Sequence, residues 1–407
     1  MDCDSKNAAS ERLRAARRVV IKLGTSIVTG ADGQICTEQV QPIVRSIAAL
    51  KSAGRQVVLV SSGAVGLGAG RLNLPRARLN DLVVRQACAA VGQNLLMNAY
   101  ERLFSALDVE IAQVLLTEKD FADRRSYQNL RSTMEKLLKL DVLPIANEND
   151  TVSTAELEYL SDSTERIFGD NDRLAALLMS KLEAGALILL TDVDGLLSRK
   201  TKDGPSTRAL DEQLEVIPLV EKITAELRAV AAGPSASGRG GMLSKLDAAQ
   251  IAMRAGGVAV IANGTTPDTL DRIFAGVGVG TTFVSSSRMR GKRRWIAYAA
   301  NVRGRVVVNA GAREAILDGK GSLLASGVIR VERDFSSLDV VSIAGPEGRE
   351  FARGIANCAS EEAAVQINAR STNRPESSHN RSVLVTRDNI VILGDVSGFT
   401  GCRPNGE

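Results

Sequence analysis

At 407 residues the chain exceeds one ordinary hydrophobic core, so two domains are expected. Apolar residues make up 44% and aromatics only 3%, which excludes a disordered chain and leaves few stacking platforms for single-stranded nucleic acid. The formal charge of +4 does not by itself point to nucleic acid, and a single histidine, His379, excludes histidine triads and multi-histidine metal sites.

Residues 1–16 carry charges without an apolar run and read as a flexible N-terminus. Val19-Val20-Ile21 is the first strand and runs into Lys22-Leu23-Gly24-Thr25-Ser26. A helical pattern follows from Thr37 to Ala53, closed by Gly54. Further strands are expected over Gln56 to Val60, Ile111 to Leu116, Val142 to Ala146, Ala186 to Leu190 and Val258 to Ala262. They lack in/out alternation, so both faces are buried, and helical stretches separate them. That pattern predicts a three-layer αβα sandwich around a mainly parallel sheet over 17–284. The stretch 285–300 reads as a linker. Short strands at Arg305 to Asn309, Gly327 to Val331, Val340 to Ile343 and Ser382 to Val385 predict a small β-rich domain over 301–400, with a mobile polar loop at 359–381. Five scattered cysteines form no CxxC pair, and no apolar run reaches the ~20 residues of a membrane helix. A cytoplasmic protein is expected.

Ligands of open parallel sheets bind at the carboxyl ends of the strands. Here those ends are Lys22-Leu23-Gly24, Ser61-Ser62-Gly63, Asn147-Glu148-Asn149-Asp150 and Thr191-Asp192. Lys22, beside a Gly-rich turn, either meets a phosphate or lies along the surface. No GxxxxGK[ST] loop occurs, and Gly66-Leu67-Gly68-Ala69-Gly70 has the wrong spacing for a dinucleotide site. The loop Gly238-Arg239-Gly240-Gly241-Met242-Leu243-Ser244-Lys245 opens a helix. It is either a polyphosphate cradle with Lys245 one turn inside, or a plain surface loop. In Gly169-Asp170-Asn171-Asp172, an acid either caps the next helix or needs cations beside it. Two lysines, a carboxylate and glycine loops are the parts of a phosphoryl-transfer site, which needs no histidine when the acceptor is an ionised carboxylate.

Together, Val20 to Ser26, Val60 to Ala64, Gln86 to Gln93, Gln113 to Thr117, Pro144 to Asp150, Gly169 to Asp172, Leu190 to Asp192 and Gly240 to Lys245 resemble the glutamate 5-kinases of the amino acid kinase family. The resemblance implies ATP-dependent phosphorylation of the glutamate side chain to γ-glutamyl phosphate, at the start of proline biosynthesis. It implies that Lys22 and Lys245 grip the phosphates and Asp172 orients them. Ser62, Gly63, Asn147, Asp150, Asp170 and Asn171 would hold glutamate, with Asp150 facing its α-ammonium. Gly24, Thr25, Thr191, Asp192, Arg239, Gly240, Gly241, Met242, Leu243 and Ser244 would join the lysines around ATP. Mg²⁺ would be held mainly by ATP, with no protein metal site. Other acceptors within the fold are acetylglutamate, aspartate, carbamate or a nucleotide. A silent kinase domain serving an RNA-binding or regulatory protein is the alternative from another class.

The C-terminal segment is similar to PUA domains through Gly311-Ala312, Ser322 to Leu324, Gly327-Val328 and Phe335, with Asn309 where the family often has Asp. RNA binding is not expected, because basic residues are not concentrated there. The loop from Thr151 to Phe168 is longer than the common form, in a region where the family binds proline as feedback inhibitor. A separate reductase is expected to take the acyl phosphate, and the chain is expected to form a dimer or tetramer.

Overall fold

The computed structural model describes residues 3–152, 171–199, 214–231, 241–284, 293, 295–299, 302–319, 321–368 and 383–393. The chain divides into two compact units, Met1–Met289 and Arg290–Glu407.

In the first unit, helix α1 (Cys3–Ala15) precedes strand β1 (Arg18–Leu23), a short helix α2 (Thr25–Val28) and α3 (Thr37–Ser52). Strand β2 (Gln56–Ser61) leads into α4 (Ala64–Arg71) and α5 (Leu82–Ser105), and β3 (Ile111–Leu116) into α6 (Glu118–Ala122) and α7 (Arg124–Lys139). After β4 (Leu143–Glu148) come α8 (Asn171–Lys181), β5 (Ala186–Thr191), the small pair β6 (Leu197–Arg199) and β7 (Leu214–Val216), and β8 (Leu219–Val220). Helices α9 (Ala225–Ala231) and α10 (Met242–Ala255), strand β9 (Val258–Asn263), α11 (Thr269–Phe274) and β10 (Thr281–Val284) follow.

Eight strands form one sheet in the order β3-β4-β2-β1-β5-β9-β10-β8. From β3 to β9 all neighbours are parallel, whereas β10 runs antiparallel to β9. The continuous apolar runs explain the burial: β5 is buried at every position and β1 at all but its first. Because β4, β2, β1, β5 and β9 are parallel neighbours, their carboxyl ends share one edge of the sheet.

Residues 1–16 depart from the expected flexible N-terminus. Ala9 and Leu13 of helix α1, and Ala16 just after it, are buried in the main core, while the Arg14 guanidinium donates to the Ala275 carbonyl. The apolar positions are too few and too small to show as a helical stripe in a charged segment.

The glycine-rich stretch 66–70 lies inside α4 and serves packing. A Cβ at Gly68 would overlap the Cys88 carbonyl of α5, and one at Gly92 would overlap the Ala64 carbonyl of α4. The two backbones touch at both points. Gly92→Ala is therefore expected to destabilise the unit by about 3 kcal/mol through overpacking, seen as a lower midpoint in denaturant. An unchanged midpoint would refute this close approach.

Lys181, at the far end of α8, is buried with its ammonium over the Tyr127 ring, 2.8 Å from the centroid. Burial, reinforced by Arg131, pushes its pKa down to about 7 against a partial opposing pull from Glu135. A base with a lowered folded pKa makes the folded state bind fewer protons than the unfolded one between about 7 and 10.5, so stability rises with pH there. Lys181→Met should melt higher than the parent at pH 6, with the difference shrinking by pH 9. A difference that is constant with pH would contradict this.

The second unit holds six strands, β11 (Val302–Val308), β12 (Leu323–Leu324), β13 (Val328–Arg333), β14 (Val340–Ala344), β15 (Glu350–Ala356) and β16 (Val383–Ile392), in the sheet order β12-β16-β15-β14-β11-β13. It also holds helices α12 (Ala310–Leu317) and α13 (Ser360–Asn368). Val306, Val308, Phe335, Ile343, Phe351 and Leu384 are in its core. Asn309 caps α12 by accepting from the Ala312 amide at 2.8 Å, a role an aspartate fills equally well. The expected mobile loop at 359–381 is corrected in its first part, since Ser360–Asn368 is helical. Positions 369–381 lie outside the described residues.

Candidate active site

Asp172 organises the sheet edge. It is the second residue of α8, has no solvent exposure, and lies between two cations. Its Oδ1 is 2.7 Å from Lys22 Nζ, at the end of β1, and its Oδ2 is 3.1 Å from Lys245 Nζ, on the first turn of α10. Ser244 Oγ also donates to Oδ2, at 3.0 Å. Both lysines are buried, at 5% and 6% exposure. Burial alone raises the carboxyl pKa and is the largest single influence. Lys22 and Lys245 together outweigh it, by charge and by hydrogen bonding, so the pKa ends below the ordinary 3.8.

Helices α8 and α10 pack against each other, which brings the two ends of this arrangement together. Apolar faces do that work: Leu174, Ala175 and Leu178 of α8, and Leu246, Ala249 and Met253 of α10, are all buried. Gly241 precedes α10 in extended conformation and, as a glycine, offers no side chain to cap the helix start. The first-turn amides and the macrodipole therefore favour an anion beside Lys245.

Asn171 is next to Asp172, but successive helical residues point about 100° apart. Its amide turns toward β2 and β4. Nδ2 donates to Ser62 Oγ at 2.9 Å and to Asn147 Oδ1 at 2.9 Å. Asn147 Nδ2 in turn donates to Gln93 Oε1 of α5 at 2.9 Å. Ser62 and Asn147 are buried, at 8% and 3% exposure. Behind them Ser61 Oγ and the fully buried Tyr100 hydroxyl are 2.7 Å apart. Gly63 adopts φ 108°, and a side chain there would press on Thr29 and Val28.

The other expected positions fall around this core. Gly24 is buried with its amide on the Leu190 carbonyl, tying β1 to β5, and Thr25 is exposed beside it. Asp150 is half-buried in the turn after β4. Thr191 is buried at the end of β5 and donates to the exposed Asp192 at 3.1 Å. Met242 is half-buried and Leu243 exposed on the first turn of α10. Asp170, Arg239 and Gly240 lie outside the described residues. Gln93 was missed as a site residue. It stands in the matching run Gln86 to Gln93, but one glutamine in a long helix gives no signal of its own.

Across the sheet, Asn147 and Ser62 lie over β4 and β2, Thr191 and Asp192 over β5, and Lys22 on β1 between them. The cationic pair stands between the amide and hydroxyl groups over β4 and β2 and the Thr191-Asp192 end of β5. Among the described residues, no group of three or more His, Cys, Asp or Glu side chains gathers to hold a metal ion. No helix there is long and apolar enough to cross a membrane.

Residues 17–263 match the Amino acid kinase family and residues 304–374 the PUA domain. Glutamate 5-kinase of Moorella thermoacetica is 41% identical over 387 residues, covering 94% of this chain and 98% of that one. The protein of the same name from Caldanaerobacter subterraneus is 40% identical over 92% of this chain and 98% of its own. That of Myxococcus xanthus is 44% identical over 84% of this chain and 87% of its own.

Proposed function

The chain belongs to the amino acid kinase family, among its glutamate 5-kinases, and from that premise we infer how its residues carry the reaction. The activity is ATP-dependent phosphorylation of glutamate on its side-chain carboxylate. The observation that carries the reading of the site is the buried Asp172 carboxylate between Lys22 and Lys245.

Glutamate's side-chain carboxylate is ionised at neutral pH, so no base has to activate it. One of its oxygens bonds to the γ-phosphorus of ATP as the bond to the β–γ bridging oxygen breaks. The electron pair leaves with ADP, and γ-glutamyl phosphate forms. Charge spreads over the equatorial oxygens of the moving group, and Lys22 and Lys245 supply fixed countercharge for it. Asp172 holds both ammonium groups in place, so no reorganisation is needed during transfer. The start of α10 takes phosphate oxygens through its amides. Thr191, Asp192 and the loop from Arg239 to Ser244 take the nucleotide, while Ser62, Gly63, Asn147, Asp150, Asp170 and Asn171 take glutamate.

With Asp172 already committed to two lysines, the residues fit a Mg²⁺ carried by ATP oxygens, where it would neutralise phosphate charge. The acyl phosphate is labile, which calls for a separate reductase leading toward proline. Proline as feedback inhibitor and assembly into a dimer or tetramer complete the reading.

Parallel coupled ADP-release assays with glutamate, aspartate, acetylglutamate and carbamate test the acceptor. Turnover is expected with glutamate, and its absence with Mg-ATP and folded protein would overturn the reading. Asp150→Ala should raise the glutamate KM about tenfold or more, with the ATP KM unchanged, because a charged partner of the ammonium is lost. An unchanged glutamate KM would remove Asp150 from the pocket.

A further inference from the structure

The amides beside Asp172 form a chain with a definite polarity. Its origin is the backbone N–H of Glu148, which can only donate and points at Asn147 Oδ1 at 2.9 Å. That contact fixes which end of the Asn147 amide is oxygen. Asn147 Nδ2 must then face outward, where it meets Gln93 Oε1 at 2.9 Å. Asn147 Oδ1 also receives Asn171 Nδ2 at 2.9 Å, and the second hydrogen of that amide meets Ser62 Oγ at 2.9 Å. Both Asn171 donors are thereby used. Its Oδ1 is buried and has no hydrogen-bond partner among the described residues, and a buried acceptor left so is costly.

A glutamate zwitterion with both carboxylates ionised offers hydrogen-bond donors at one place only, its α-ammonium. We propose that Gln93 is a positioning residue which, through Asn147, holds the Asn171 amide with Oδ1 turned to accept from the substrate's α-ammonium. Gln93 is brought to this place by the glycine beside it, since Gly92 lets α5 touch the backbone of α4. Asp150 and Asn171 Oδ1 then share the three ammonium hydrogens, and specificity for an α-amino acid follows from one fixed acceptor and one carboxylate. This inference rests on the glutamate-kinase reading of the same pocket.

The test compares the full-length parent with Gln93→Met, which keeps the bulk but loses the acceptor, and Gln93→Glu, which keeps an acceptor. For each, the glutamate KM, kcat and ATP KM are measured, together with inhibition by glutarate, which lacks the α-amino group. Gln93→Met is expected to raise the glutamate KM about tenfold, with kcat and the ATP KM within twofold and glutarate inhibition unchanged. Gln93→Glu is expected to recover most of the glutamate KM. If Gln93→Met weakens glutarate as much as glutamate, or leaves both unchanged, or if Gln93→Glu is no better than Gln93→Met, the proposal is overturned. Failure of the underlying reading would look different, since the parent itself would then show no glutamate-dependent turnover.

Discussion

Lys245→Ala is expected to lower kcat about a thousandfold while the protein stays folded. Lys245 Nζ is 3.1 Å from Asp172 Oδ2, on the first turn of a helix that presents its amides to the same place. Removing one fixed cation from a phosphoryl-transfer site typically costs on the order of 10² to 10⁵ in rate. The fold is expected to survive because Asp172 keeps Lys22 at 2.7 Å and the Ser244 hydroxyl at 3.0 Å. Alanine also suits the helix. Circular dichroism and the melting midpoint check the fold, and steady-state kinetics with saturating glutamate and Mg-ATP check the rate. A variant retaining more than a tenth of parental kcat would show that Lys245 serves packing alone.

Asp172→Ala should be inactive and also unstable. It removes the carboxylate that both buried ammonium groups share, and breaking a buried ion pair costs about 3–5 kcal/mol. For a unit of this size, that is a fall of roughly 5–8 °C in the melting midpoint. Replacing all three residues at once, as Lys22→Met, Asp172→Leu and Lys245→Met, should restore most of the stability and none of the turnover, because an apolar set removes the desolvation cost along with the attraction. Acid dependence carries the same signature. The folded Asp172 pKa lies below its ordinary 3.8, so its contribution is complete above that value and is lost as pH falls through the folded pKa. The acid limb of the parent's stability profile should therefore be steeper below pH 4 than that of the triple variant. Equal stability of Asp172→Ala and the parent would mean that the carboxylate does not hold the lysines.

The parts of this site that could be read from sequence are those fixed by local pattern. Apolar runs without alternation mark β1, β2, β4, β5 and β9, and the polar residues ending them mark the shared edge. Gly241 and Lys245 stand in a glycine loop that opens a helix, which local chemistry links to phosphate. What could not be read depends on contacts between distant segments. The Asp172 bridge joins positions separated by most of the first unit, so sequence shows only a carboxylate needing cations. Gln93 and Tyr100 reach the site from a long helix with no pattern that marks them. Gly68 and Gly92 show no reason to be glycine until the α4–α5 backbone approach is seen. Helix α1 and β15 were missed for a related reason. Ala9 and Leu13 are small anchors in a charged segment, and Arg353 and Gly354 interrupt the apolar run of a strand that is nonetheless buried over most of its length.

The acyl phosphate itself gives the most direct test. Purified full-length protein, incubated with glutamate, Mg-ATP and hydroxylamine, is expected to yield γ-glutamyl hydroxamate in step with ADP release. The yield should fall to background in Lys245→Ala. ADP release without glutamate hydroxamate, or equal hydroxamate from Lys245→Ala, would contradict phosphoryl transfer to the glutamate side chain at the Lys22–Asp172–Lys245 site.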